Sequence, residues 1–136
     1  MHEPGEQALE EVVQAALLVD GIQSAALFVV APPSSSLELA AAAGIAGPPL
    51  DGLVGAVRNP AHPVARALSD DGPTFDVLPM APGGPRLRSH LPLRVDPDRR
   101  REAFGVLALA HDAELDAGQR AELIALADRA AIAVSR

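Results

Sequence analysis

Two segments of this 136-residue chain are apolar at nearly every position, and they restrict its fold more than any other feature. Residues 25–31 read Ala-Ala-Leu-Phe-Val-Val-Ala, and residues 103–110 read Ala-Phe-Gly-Val-Leu-Ala-Leu-Ala. Successive side chains of a β-strand point to opposite faces of the sheet, so strands of this kind have to be covered on both faces. We therefore predict two central strands, at residues 24–31 and 103–110, with a layer of structure on each side of the sheet.

Amphipathic helices at the two ends of the chain can supply one of these layers. Apolar residues recur at helical spacing over residues 6–19, and Asp20-Gly21 follows as a usual helix stop. A second helix begins at Asp116, where Gln119 completes a capping box, and continues to residue 134. Leu126 makes its apolar stripe wider than contact with one sheet face requires, which favours pairing with a second copy of the chain. The residues predicted for this dimer interface are Leu9, Val13, Leu126 and Ala130.

The middle of the chain supplies the remaining elements. Residues 37–44 are predicted to form a hairpin with the first central strand, and residues 74–78 and 88–95 give two further strands. Short helices are predicted at residues 50–57 and 63–68, between proline- and glycine-rich turns. The order helix, two strands, short helices, three strands, helix indicates an α+β fold with a central antiparallel sheet of about five to six strands. The terminal helices would lie on one face, and the short helices and loops on the other.

The composition excludes several kinds of chemistry. The chain has no Cys and no Lys, which rules out thiolate nucleophiles, cysteine-based metal centres and Schiff bases to lysine. Its formal net charge of −7 argues against nucleic-acid binding, although arginines concentrate between residues 86 and 101. Nothing reads as a signal peptide or a membrane span. We expect one cytoplasmic domain, residues 1–136 with a core of about 6–134, without a metal site, a nucleic-acid partner or a membrane partner.

Three phrases of the sequence resemble one known family, the GAF domain. Residues 62–68, His-Pro-Val-Ala-Arg-Ala-Leu, together with Thr-Phe-Asp-Val at 74–77, are similar to its mid-domain helix and the strand that follows. Residues 88–95, Arg-Ser-His-Leu-Pro-Leu-Arg-Val, resemble its Arg-Ser-x-Leu-x-x-Pro-Leu strand, shortened by about two residues. Residues 104–110, followed by Leu115-Asp116, resemble its penultimate strand and the start of its last helix. The likeness covers roughly residues 6–134 and consists of packing and turn patterns, not of catalytic signatures.

The resemblance implies a small-molecule pocket on the sheet face opposite the terminal helices. Known functions of the family are cyclic-nucleotide sensing, bilin binding, haem-based gas sensing and, in one branch, reduction of free methionine sulfoxide. The absence of Cys excludes bilin attachment and the reductase branch, and the Asn-Lys signature of the cyclic-nucleotide branch is missing. The sequence does not identify a cofactor.

Four residues are candidates for contacts with a ligand on that face. His62 begins a short helix that could line the pocket, and Arg88 and His90 share one face of their strand by alternation. Together with Phe75 they make up the predicted ligand-binding set. Arginine on this face favours an anionic or carbonyl-containing ligand, and either histidine could serve a haem as axial ligand. No pair of histidines or carboxylates has metal-ligand spacing, and no catalytic constellation is present.

The sequence therefore predicts a non-enzymatic sensory or regulatory domain of signal transduction or transcriptional regulation. It would bind a small molecule or act through dimerisation of its terminal helices. A kinase or regulator output domain would lie outside this chain. Three alternatives stay open: a ligand-free protein-interaction or dimerisation module, a haem-type sensor, and, for the fold, the related PAS domain.

Overall fold

A computed structural model describes most of the chain. The described residues are 4–30, 36–70, 72–78, 87–94 and 103–135, with side chains described for all of these except residues 4–6 and 135. The turns predicted at residues 80–86 and 96–101, and all but residue 36 of the turn predicted at 32–36, lie outside the described residues, and so do four of the six arginines between residues 86 and 101.

The elements of the described residues follow the predicted order. They are α1 (Pro4–Leu18), β1 (Ile22–Val30), β2 (Leu37–Ala43), α2 (Gly47–Ala56), α3 (Pro63–Arg66) with a 3-10 turn (Ala67–Ser69), β3 (Thr74–Val77), β4 (Leu87–Leu93), β5 (Gly105–His111) and α4 (Ala117–Ser135). The predicted α+β class is confirmed. None of the helices in these ranges is long and apolar enough to cross a membrane.

The sheet has five strands in the order β2-β1-β5-β4-β3, and every neighbouring pair is antiparallel. The two strands predicted to be central, β1 and β5, pair with each other in the middle, and β1 and β2 form the predicted hairpin. All seven residues of β5 are buried, as a strand covered on both faces requires. The short strand β3 forms one edge of the sheet and β2 the other.

The terminal helices pack against each other and against one face of the sheet, which we call the helix face. The capping box that starts α4 is confirmed: Asp116 Oδ1 accepts from the Gln119 N–H and Gln119 Oε1 accepts from the Asp116 N–H, both at 2.8 Å. Large aliphatic side chains of the sheet fill the space under the helices. Those of the three inner strands are Leu27, Leu91, Leu93, Leu107 and Leu109.

The four residues predicted for a dimer interface lie in this core. Leu9, Val13, Leu126 and Ala130 are all buried within a single chain. The stripe of α4 is wide because the helix covers both the sheet and α1, so its width does not require a second copy. These four side chains are therefore not available for contact with a second copy of the chain. The exposed large apolar residues of α4 are Ile124 and Ile132.

The opposite face carries a second, smaller core under α2, α3 and the 3-10 turn. Val57, Val64 and Ala67 cover the sheet there, and Phe28 of β1 and Val106 of β5 lie beneath them. Among the residues of α2 itself none is buried, so this helix lies at the margin of the layer. We call this the thin face, because its cover is made of short helices and small side chains.

The turn after β2 requires glycine. Gly44 has φ +76°, and a Cβ built on it would lie 2.3 Å from the Gln23 carbonyl oxygen. Backbone in this left-handed region already costs a side chain about 1–2 kcal/mol, and the clash is with backbone that cannot rotate away. Gly52, inside α2, has ordinary backbone geometry and no atom within 4 Å of the position of a Cβ.

We predict that Gly44→Ala lowers the free energy of unfolding by about 2 kcal/mol or more, from strain and overlap combined. The matched control Gly52→Ala should leave stability unchanged or raise it by up to about 1 kcal/mol, because alanine favours helix. Urea unfolding followed by circular dichroism measures both. Equal stability of the two variants would contradict the close approach described at Gly44.

Candidate functional site

A row of small side chains crosses the thin face and ends at His90. The strand register aligns Ala42, Ala26 and Ala108 with His90, and pairs His90 with Thr74 on the edge strand. We call these five residues the alanine row. Because an alanine side chain rises only one carbon above the sheet, the His90 ring is the largest group in the row and stands beside a low apolar floor.

His90 is buried in this apolar setting, with 5% of its surface exposed. Burial, together with the nearby His62 and Arg88, lowers the pKa of His90 to about 4 against the opposing effect of the Asp70 charge. The ring is therefore neutral at pH 7, with one nitrogen as donor and the other as acceptor. Within the described residues, the ring makes no hydrogen bond. The ring nitrogens are not fully buried, so they can reach a ligand or water at the surface.

His62 lies near His90 and starts α3. Its Nδ1 accepts a hydrogen bond from the Val64 N–H at 3.2 Å, and Pro63 occupies the first helical position. Burial lowers the pKa of His62, so the ring is neutral at pH 7, and the accepting role of Nδ1 assigns the proton to Nε2. A helix does begin here, as predicted, and the contact of His62 with a ligand stays a prediction.

Arg88 lies two residues before His90 on the same face of β4, opposite Ala110. Its Nη1 donates to the Leu87 carbonyl at 3.2 Å. Burial lowers the pKa of Arg88 and the negative charge of Asp112 raises it, which leaves a half-buried cation at the edge of the alanine row. The structure thus brings three of the four predicted residues, His62, Arg88 and His90, to one face of the sheet.

Arg94, which follows β4, holds the cover of the thin face in place. Its guanidinium donates to the backbone carbonyls of Leu68 and Asp70, at the end of the 3-10 turn. This contact ties the short helices to the sheet and gives Arg94 a structural role.

Phe75, the fourth predicted residue, does not lie on the thin face. It packs against the core of the helix face, where the Arg120 guanidinium carbon lies 4.9 Å from its ring centroid. The reason is a β-bulge: the register shifts between Thr74 and Val77, and Asp76 has φ +60°. The bulge turns both Phe75 and Asp76 towards α4, which removes Phe75 from the candidate ligand-binding set.

Asp76 is an important residue that the sequence did not reveal. Its Oδ1 accepts from the Leu115 N–H at 3.0 Å, and its Oδ2 accepts from Arg120 Nη2 at 2.5 Å. Its own N–H donates to Ser89 Oγ at 3.2 Å. The only local signal is an aspartate inside a short strand, and aspartate is depleted in strands.

Ser89 and His111 form a buried pair behind Asp76. Ser89 Oγ lies 2.8 Å from His111 Nε2, and His111 Nδ1 lies 2.8 Å from the Ala113 carbonyl oxygen. A carbonyl only accepts, so Nδ1 carries the proton, and Ser89 then donates to Nε2 while it accepts from the Asp76 N–H. A serine–histidine pair can activate a nucleophile, but both side chains are fully buried and every bond is used within the fold. The pair is structural.

No group of three or more histidines and carboxylates within the described ranges is placed to hold a metal ion. No protein-family model matches the sequence, and no curated protein matches it either.

Solved structures do match, over nearly the whole chain. The GAF domain of a phosphoenolpyruvate-protein phosphotransferase from Coxiella burnetii superposes with a TM-score of 0.75 at 17% identity, covering 98% of this chain and 84% of that one. The second GAF domain of DevS from Mycobacterium smegmatis gives 0.71 at 21% identity, covering 96% of this chain and 93% of that one. This protein has the GAF fold.

The GAF fold is shared with at least one enzyme. The type II free methionine-R-sulfoxide reductase from Thermoplasma acidophilum superposes with a TM-score of 0.71 at 15% identity, covering 98% of this chain and 96% of that one. Identities at this level establish the architecture and leave the function to the residues of the site. In this chain the candidate residues are His62, Arg88 and His90 on the thin face.

We predict that His90 makes stability depend on pH in a defined window. Below pH 6.5 the unfolded ring binds a proton that the folded ring does not bind until about pH 4. The stabilising contribution is therefore complete above pH 6.5 and is lost as the pH falls towards 4, by as much as about 3 kcal/mol. Urea unfolding of wild type and His90→Gln between these limits measures it. The difference between the two proteins should change with pH, and a constant difference would contradict the assignment.

We further predict a coupling between Asp76 and Arg120. The Asp76 side chain is 12% exposed and the Arg120 side chain 43%, so solvent weakens this ion pair only in part. A double-mutant cycle of Asp76→Asn and Arg120→Gln should give a coupling free energy of about 1 kcal/mol. Arg129→Gln, on the exposed side of α4, is the matched control and should show no coupling to Asp76→Asn.

Proposed function

We propose that this GAF domain is a non-enzymatic sensory or regulatory module of signal transduction or transcriptional regulation, and that it binds a small molecule on its thin face. One observation carries the proposal: a buried, neutral His90 that makes no hydrogen bond within the described residues. Its ring nitrogens are not fully buried, so a ligand beside the alanine row can bond to them.

The side chains around His90 suggest the chemistry of the ligand. His90 offers one donor and one acceptor, and Arg88 offers a positive charge at the edge of the row. The floor beside them, Ala26 and Ala108, is small and apolar. A matching ligand has an apolar body and carries a carboxylate or carbonyl oxygen at one end.

The residues also support a role without catalysis. The chain has no cysteine with which to carry out thiol redox chemistry, and its serine–histidine pair is closed to substrates. The similar domain from Coxiella burnetii is one part of a phosphoenolpyruvate-protein phosphotransferase. By analogy we propose a cytoplasmic domain that passes its state to a kinase or regulator outside this chain.

Native mass spectrometry of the freshly purified protein, repeated after denaturation, is the first test. We predict a retained mass of one small molecule that disappears on denaturation. If the molecule is lost during purification, titration of the protein with a panel of small carboxylic acids and ketones is the alternative test. A Soret band after expression with added haem would instead identify the haem-type alternative.

Variants locate the site. His90→Phe removes the hydrogen-bonding nitrogens, Arg88→Gln removes the charge, and each should weaken binding roughly 10- to 100-fold. The matched control Arg58→Gln, an exposed arginine just after α2, should bind as wild type does. Binding that survives both His90→Phe and Arg88→Gln would place the ligand elsewhere, and failure of the whole panel would remove the proposal.

A second candidate function is dimerisation through α4. Ile124 and Ile132 are 38% and 48% exposed, and their spacing of eight residues places them on one side of the helix. Light scattering after size exclusion should then show a dimer for wild type and a folded monomer for Ile124→Glu. Leu18→Glu, at an 86% exposed position at the end of α1, is the control and should stay dimeric. A monomeric wild type would exclude this candidate.

A further inference from the structure

The edge strand β3 contacts the two faces of the sheet at successive residues. Thr74 pairs with His90 in the alanine row, and its Oγ1 donates to Asp70 Oδ2 at 3.3 Å. The next two residues, Phe75 and Asp76, turn to the helix face because of the bulge. One short strand therefore joins the proposed ligand face to the terminal helices.

The Asp76 carboxylate binds the start of α4 at two points. Oδ1 holds the Leu115 N–H just before the helix, and Oδ2 holds Arg120 in its first turn. Arg120 Nε also donates to the Leu115 carbonyl at 3.1 Å, which closes the cluster. A shift of Asp76 thus acts on the helix start and on its first turn together.

The backbone of Asp76 depends on these contacts. A residue other than glycine at φ +60° is strained, and such a conformation persists only where its surroundings hold it. Here the holding groups are Leu115 and Arg120 on one side and Ser89, which accepts from the Asp76 N–H, on the other. A shift in the pairing of Thr74 with His90 would weaken this support, and relaxation of Asp76 to an ordinary φ would turn its carboxylate away from α4.

We propose that β3 is the coupling element of this domain, and that the Asp76 carboxylate passes changes at the His90 side of the thin face to the first turn of α4. The trigger, a ligand, rests on the proposed function. The coupling itself is a property of the chain and can be tested without a ligand.

Hydrogen exchange resolved by residue tests the coupling. His90→Gln perturbs the thin face, and Thr74→Val does so at a half-buried position where loss of folding is not expected. Each should speed exchange of the Leu115 and Arg120 amides roughly fivefold relative to wild type. The Asp76→Gly variant can adopt the positive φ without strain and lacks the carboxylate. In the Asp76→Gly background, His90→Gln and Thr74→Val should still change the exchange rates of amides in β4 and β5. They should no longer change the exchange rates of amides at the start of α4.

Arg129→Gln, on the exposed side of the same helix, is the control background and should leave the transmitted effect intact. Equal effects on α4 with and without the Asp76 carboxylate would overturn the proposal, and so would perturbations that never reach α4. Because no ligand is added, these outcomes are independent of whether the thin face binds one. A ligand that binds tightly while α4 amides stay unchanged would overturn the coupling and leave the proposed function standing.

Discussion

The pairing of β1 with β5 is the constraint on which the rest of the structure depends. The central part of each strand has no polar side chain that could face water, so both faces of the pair must be covered. The chain meets this demand with two layers of different kinds. Two long helices from the ends of the chain cover one face, and short helices from its middle cover the other.

The two layers differ in the side chains that build them and so in what they contribute to stability. Leucines dominate the helix face, and each fully buried leucine contributes on the order of 1.5–3 kcal/mol. The thin face has a smaller core, in which Phe28 and Val106 lie beside the alanines of the row. A buried histidine with a lowered pKa can be accommodated on that side because the helix face supplies most of the core.

Local patterns in the sequence were sufficient to predict the helices and strands and to place two of the candidate site residues on one face of the sheet. Apolar strands and helical periodicity predicted every strand and both layers, and alternation along β4 placed Arg88 and His90 on one face correctly. Phe75 was misplaced because the bulge at Asp76 uses a positive φ at a residue other than glycine, which no local pattern announces. The stripe of α4 was misread because its width is explained by α1, a contact between residues about one hundred positions apart. The Ser89–His111 pair depends on the register between two strands, which a single sequence does not reveal.

The bond between Gln119 Nε2 and the Asp20 carbonyl oxygen, 2.7 Å long, joins the start of α4 to the end of α1. The two packed helices are therefore antiparallel, and this hydrogen bond holds them together at one end. With 19 residues, α4 is about 28 Å long. A tilt of roughly 5° at the pinned end would then separate the far ends by about 2.5 Å, a distance comparable to half a helical turn. A small change of angle between the two helices at this end would thus become, at the far ends, a displacement large enough to break a packed contact.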